Sequence, residues 1–199
     1  MEYLAEKIYT KMGLVKDNIF LEKKVLHLGC GHNKIPGTIG VDAIAHPEVD
    51  VVHDLNRFAW PFSDNSIDVV VAHSVLEHLD DLVSFFKEIN RICKNEARLI
   101  VAVPYFRCID SFTDPTHQHF FTSRSLDFFI EEGRDLARYD YLKQKLSLVG
   151  FWYGWPSESS NWLVRQFKNF IKKHSKFYDQ YLSLLFPVKT LTCELKIKK

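Results

Sequence analysis

Apolar residues fall along this chain in short runs separated by amphipathic stretches. Leu4, Ile8, Met12 and Val15 recur at helical spacing, which predicts a helix over residues 2–17 that docks on the rest of the chain. Four β-branched or leucine-rich runs follow, at residues 24–29, 38–42, 49–55 and 66–72. Runs of this kind suit strands covered on both faces, as in a parallel sheet. Asp80 or Asp81 then caps a helix whose buried stripe is Leu82, Val83, Phe85, Phe86, Ile89, Ile92 and Cys93, and Lys94-Asn95 ends it.

Residues 98–103 predict a fifth strand, closed by Pro104. Residues 105–122 show no periodicity, and Ser123 is placed to cap a helix reaching about Glu132. Leu146-Ser147-Leu148 and Phe151-Trp152-Tyr153 read as strand pieces. Asn161 caps a long helix with Leu163, Phe167, Phe170, Ile171, Phe177, Tyr178, Tyr181, Leu182 and Leu185 on one side. Pro187 breaks it, and residues 191–197 alternate as a last strand. Strands interleaved with helical patterns argue an α/β fold with a parallel sheet. Neither a repeat nor a linker divides the sequence, so one domain spanning 1–199 is expected.

Composition adds exclusions. The 199 residues are 46% hydrophobic and 14% aromatic, too apolar for a disordered chain. No apolar run approaches the roughly 20 residues of a membrane span. The polar, acidic Met1–Lys7 start is unlike a signal peptide. Cys30, Cys93, Cys108 and Cys193 lie far apart, without C-x-x-C or zinc spacing, and read as reduced thiols of a cytoplasmic protein. The formal charge of +1 conceals a basic segment. From residue 165 onward nine Lys/Arg face only Asp179 and Glu194, so that part carries +7 and residues 1–164 carry −6. Such a segment is either a solvated helix face or a landing site for an anionic partner.

The sharpest local signal is Leu28-Gly29-Cys30-Gly31 at the exit of the first strand. Glycines there let the backbone turn tightly and approach a ligand, and ligands of open α/β sheets sit beyond the strands' carboxyl ends. Asp42 ends the second strand, where a carboxylate can accept from a ribose diol, and Asp54 ends the third, within reach of an exocyclic amine. Three consecutive strand ends thus offer glycine, carboxylate and carboxylate, a set suited to a nucleoside cofactor without a phosphate chain. Lys34 stands where a dinucleotide fingerprint needs glycine, and no G-K-[ST] phosphate loop is present. A tight strand exit and two helix caps are the plain structural alternatives.

The runs Val25–Gly31, Gly40-Val41-Asp42, His53-Asp54-Leu55, Phe62–Val70 and Ser74–Leu79 together resemble the class I S-adenosylmethionine-dependent methyltransferases, over about residues 24–104. The resemblance implies a Rossmann-like, mostly parallel, seven-stranded sheet flanked by helices, with its last strand antiparallel. It implies S-adenosylmethionine as cofactor, with Leu28, Gly29, Cys30 and Gly31 beneath its methionine part. Asp42 would meet the ribose hydroxyls, Asp54 and Leu55 the adenine, and His73 the sulfonium side. One departure stands out. Only Asn33 to Thr38, with Pro36-Gly37, separate the first two strands, so the helix usual there is shortened or absent. Residues 24–104 then form the cofactor core, residues 1–20 a docking or lid helix, and 105–199 the substrate loop and C-terminal elements.

The aromatic loop 104–122 follows the fifth strand on the ligand-bearing edge, and long structureless loops there are commonly functional. It carries the candidate catalytic residues Asp114, His117 and His119, expected to converge after the Asp114-Pro115 turn. A histidine there can take the proton of an attacking hydroxyl or amine. The same three residues are plausible metal ligands, or the histidines can simply pin the loop. A general base, with no metal, is expected. Glu77 and His78 read as packing and capping residues. Ala72–Val75 lacks the Asn/Asp-Pro-Pro-aromatic run of nucleic-acid amino methylases. A small-molecule acceptor with an O or N nucleophile is therefore expected. An RNA- or protein-directed enzyme using the basic 165–176 helix, and a non-catalytic binding module, are the alternatives. Oligomeric state is not legible.

Overall fold

The computed structural model describes residues 23–131, 141–142, 146–155 and 161–199, so the helix expected over 2–17 lies outside the described residues. The β-branched runs form the parallel part of one seven-stranded sheet. Its strands are β1 (Val25–Leu28), β2 (Ile39–Asp42), β3 (Val51–Val52), β4 (Ile67–His73), β5 (Cys93–Pro104), β6 (Ser147–Tyr153) and β7 (Thr190–Lys196), in the order β3-β2-β1-β4-β5-β7-β6. All four residues of β1 are buried, as a strand between parallel neighbours requires. β1 pairs with β2 on one side and β4 on the other. The strand order therefore reverses at β1, which opens the ligand crevice at its carboxyl end. β7 runs antiparallel to both β5 and β6.

Residues 82–92 form the first described helix, α1 (Leu82–Ile92). Asp81 caps it by accepting from the Val83 and Ser84 amides at 2.8 and 3.1 Å. Phe85, Phe86, Ile89 and Ile92 are fully buried against the sheet, each worth about 1.5–3 kcal/mol of apolar transfer. β5 begins at Cys93, directly after this helix, and is longer than the 98–103 expected from sequence. The helix missing from the β1–β2 connection is replaced by a stitched turn. His27 Nδ1 accepts from the Ile35 amide at 3.2 Å, and the Thr38 hydroxyl donates to the Ile35 carbonyl at 2.8 Å.

Three expectations need correction. The third strand shrinks from residues 49–55 to Val51–Val52, because it is the edge and Val52 is 57% exposed. Residues 123–129 form successive turns in place of the expected helix, whose far end lies outside the described residues. The Ser123 amide and hydroxyl are drawn to Asp179 at 3.1 and 2.6 Å, and Ile130 bridges to Leu146, which holds that segment off a helical path. After the short α2 (Asp110–Thr113) of the substrate loop, the long C-terminal helix, α3 (Trp162–Lys173), is capped by Asn161 as expected but stops at Lys173. Of its expected buried face only Ile171 and Tyr178 are buried, whereas Leu163, Phe170, Phe177, Tyr181 and Leu185 are exposed. The break at His174 and the π-helical turn Tyr178–Leu182 change the residue period, so one continuous apolar stripe cannot persist.

Tyr178–Leu182 carries Asp179, which joins the C-terminal segment to the sheet. One carboxylate oxygen accepts from the Tyr105 and Tyr153 hydroxyls, both at 2.8 Å, and the other accepts from Ser123. Burial pushes both phenols well above the usual tyrosine range. All four cysteines are free and buried. Among the described residues no helix is long and apolar enough to cross a membrane.

Candidate active site

The carboxyl end of β1 leaves the sheet through Gly29 and Gly31, both in the left-handed region at φ +62° and +46°. Gly29 is exposed, and a Cβ on it would lie 2.6 Å from Val75 Cγ2. A Cβ on Gly31 would meet no atom of the described residues within 4 Å, so bare backbone is presented there. Asp42, at the end of β2, holds this turn in place. One carboxylate oxygen accepts from the Gly31 amide at 2.9 Å and the other from the Ile44 amide at 3.0 Å. Each oxygen retains a lone pair for a ligand hydroxyl. Cys30 is buried behind the turn, and burial followed by the Asp42 charge raises its thiol pKa.

A second stitch was not legible from sequence. Asp50 accepts from the Gly40 amide at 2.7 Å and from Lys34 Nζ at 2.9 and 3.0 Å, which binds the β1–β2 turn to the approach to β3. Those bonds from Gly40 and Lys34 hold the Asp50 carboxyl below its ordinary range. Asp54 is half-buried and caps its own turn through the Asn56 amide at 3.0 Å, with Arg57 Nε 3.5 Å away. Leu28 and Leu55 are buried in the core, and the Leu55 carbonyl is taken by Trp60 Nε1 at 3.1 Å, so any ligand contact from Leu55 is through its main chain. His73 ends β4 and stands edge-on to Trp155, with ring centres 5.1 Å apart.

The substrate loop is anchored to the 3₁₀ turn Leu76–His78, whose Glu77 carbonyl accepts from the Gln118 and His119 amides at 2.7 and 3.3 Å. The side chains of the three candidate catalytic residues each bond a different partner. His119 Nε2 donates to the Leu79 carbonyl at 2.8 Å, which leaves Nδ1 with the lone pair. His117 Nδ1 donates to the Ser111 carbonyl at 3.0 Å, which leaves Nε2. Its ring stands edge-on to His78, with ring centres 4.7 Å apart. Asp114 accepts from the Thr116 amide and hydroxyl at 2.9 and 2.7 Å, and Thr116 in turn faces His78 Nδ1 at 2.8 Å. Those Thr116 bonds hold the Asp114 carboxyl below its usual range and make it an orienting group.

Glu77, read from sequence as a packing or capping residue, is packed as expected but does not act as a cap. It is 1% exposed, caps nothing with its side chain, and neither carboxylate oxygen has a hydrogen-bond partner among the described residues. Burial, the largest effect, pushes its pKa up to about 7 against the opposing His117 charge. Sequence offered one signal: a Glu-His pair inside the apolar run Val75–Leu79.

Residues 38–101 match the family model described as the methyltransferase domain. The match spans about a third of the chain, the stretch from β2 to β5. Solved structures share the chain's fold along nearly its whole length. An S-adenosylmethionine-dependent methyltransferase from Mesorhizobium loti is similar with a TM-score of 0.55 at 11% identity, over 92% of this chain and 96% of that one. The YcgJ protein from Bacillus subtilis gives 0.57 at 16%, over 96% and 99%. An S-adenosylmethionine-dependent methyltransferase from Archaeoglobus fulgidus gives 0.51 at 19%, over 98% of both. At such identities the likeness is one of fold. The comparison with curated proteins gives no match. The glycine turn, Asp42 and Asp54 occupy the three strand ends beside the switch point.

Proposed function

We propose that the chain binds S-adenosylmethionine across the β1–β3 strand ends and transfers its methyl group to an O or N nucleophile of a small molecule. The observation that carries this is the Asp42 carboxylate locked by Gly31 and Ile44, beside bare glycine backbone. No part of that turn is shaped for phosphates, and two carboxylates would repel them. Bound there, S-adenosylmethionine supplies an electrophilic methyl whose bonding pair to sulfur stays with sulfur on attack.

Asp42 fits the ribose diol, Asp54 the adenine edge, and Gly29, Cys30 and Gly31 the methionine part. His73 closes the β4 side. Much of the acceleration in such a displacement comes from holding nucleophile and methyl in line. The substrate loop does this from the β5 side. The rings of Phe112 and Phe120 stack at 4.8 Å and are 65% and 46% exposed, which favours an apolar or ring-bearing acceptor. His119 Nδ1 and His117 Nε2 are the lone pairs able to take the acceptor's proton.

Calorimetric titration with S-adenosylmethionine and S-adenosylhomocysteine tests the reading. Saturable binding to the wild type, weakened at least about tenfold in Asp42→Ala by loss of charge-assisted hydrogen bonds, is the expected result. Equal affinity in a folded Asp42→Ala variant refutes the site, and no binding of either molecule refutes the function.

A further inference from the structure

We propose that Glu77, His78 and His117 form a binding site for a divalent first-row transition-metal ion. One donor atom from each of these three side chains lies within 4.8 Å of the other two. Donors held about 2 Å from one ion lie at most about 4 Å apart, so small side-chain rotations close this cluster onto an ion.

Three further observations mark the cluster as built for a cation. The first is the Glu77 carboxylate, 1% exposed and without a hydrogen-bond partner among the described residues. A buried carboxylate left bare is costly, and metal coordination is one of the few arrangements that satisfies it. The second is the orientation of both imidazoles. His117 gives its Nδ1–H to the Ser111 carbonyl, and His78 gives its Nδ1–H to the Thr116 hydroxyl, whose own proton goes to Asp114. Both rings are thereby fixed in the tautomer with Nε2 unprotonated, as a metal ligand requires. The carbonyl and the Thr116–Asp114 relay are the outer partners that hold metal-bound histidines.

The third is convergence from distant parts of the chain. Glu77 and His78 follow β4, His117 lies in the loop after β5, and main-chain bonds from Gln118 and His119 to the Glu77 carbonyl join the two. Two imidazoles and one carboxylate favour zinc, iron or manganese over magnesium, which prefers oxygen alone. Three protein ligands leave positions open to water or to a substrate oxygen. A part in presenting the acceptor rests on the methyl-transfer reading; the site itself does not. With His117 committed to the ion, His119 is left as the base.

The test is zinc alone, titrated calorimetrically into chelator-stripped wild type and into His78→Ala, His117→Ala, Glu77→Gln and His119→Ala. One saturable zinc per chain is expected in the wild type and in His119→Ala. His78→Ala and His117→Ala each weaken it at least tenfold, and magnesium binds much more weakly than zinc. Should Glu77→Gln fail to fold, the two histidine variants decide. Stoichiometric zinc retained by both, as adventitious binding at exposed histidines would give, overturns the proposal. So does the absence of a saturable site. Titrating S-adenosylmethionine into the same preparations separates the two claims. Cofactor bound without zinc overturns only the metal site, and zinc bound without cofactor overturns only the proposed function.

Discussion

Gly29 is where the geometry makes the most exposed quantitative claim. Replacing it by alanine forces an L side chain to φ +62°, which costs about 1–2 kcal/mol in the left-handed region. The added methyl also meets Val75 Cγ2 at 2.6 Å, and Val75 is buried, so neither can move freely. Overpacking of that kind costs about 1–3 kcal/mol. The sum, about 3 kcal/mol, shifts a urea midpoint by about 1.5 M for a typical slope near 2 kcal/mol/M. Urea unfolding of Gly29→Ala, Val75→Ala and the double variant measures the steric part separately. Val75→Ala removes the opposing methyl, so the double variant is expected to lose at least about 1 kcal/mol less than the single costs added together. Strict additivity would show that the contact is not the cause. A Gly29→Ala variant with an unchanged midpoint refutes the reasoning altogether.

Asp179→Asn is expected to destabilise by about 2–4 kcal/mol, because an amide NH₂ must then face either the tyrosine hydroxyls or Ser123, all donors. Thermal and urea unfolding read this, and an unchanged midpoint counts against Asp179 as the joint of the C-terminal segment. His27 makes stability depend on pH. Burial, with the His73 charge adding and Asp42 opposing, lowers its pKa from 6.5 to about 4. The unfolded chain therefore takes up this proton at a higher pH than the folded one, and stability falls as pH drops from about 6.5 to 4. The loss totals about 3 kcal/mol. Urea unfolding at pH 7.5 and 4.5 should show it in the wild type and much less of it in His27→Gln; equal losses in both would remove His27 as the cause.

The sequence made some of this molecule plain and hid other parts for physical reasons. β1, β4 and α1 were legible because burial on both faces, or on one stripe, imposes an apolar pattern that outweighs every local preference. The turn at residues 30–38 was legible from Pro36-Gly37, yet the His27 and Asp50 stitches that replace a helix were not, since they join residues 8 and 16 apart with no periodic signature. Ser123 resembled a helix cap because its hydroxyl suits one; a carboxylate 56 residues away takes that hydroxyl instead. Glu77 reads as a packing or capping residue for the same reason. Its neighbours in sequence are apolar, and its meeting with His117 depends on loop amides reaching back to its own carbonyl.

The place of β7 between β5 and β6 has a consequence for how the protein is made. Strands β1 to β5 come from one contiguous stretch, residues 25–104, and can pair as soon as that stretch emerges from the ribosome. Among the described strands β6 pairs only with β7, so it waits through some forty further residues for that partner. β5 keeps an open edge for roughly twice as long, a state prone to wrong pairing. The cofactor half can thus form early, whereas the far side of the sheet closes in a single late event. A chain cut before Thr190 would lose the positions of two strands, not one.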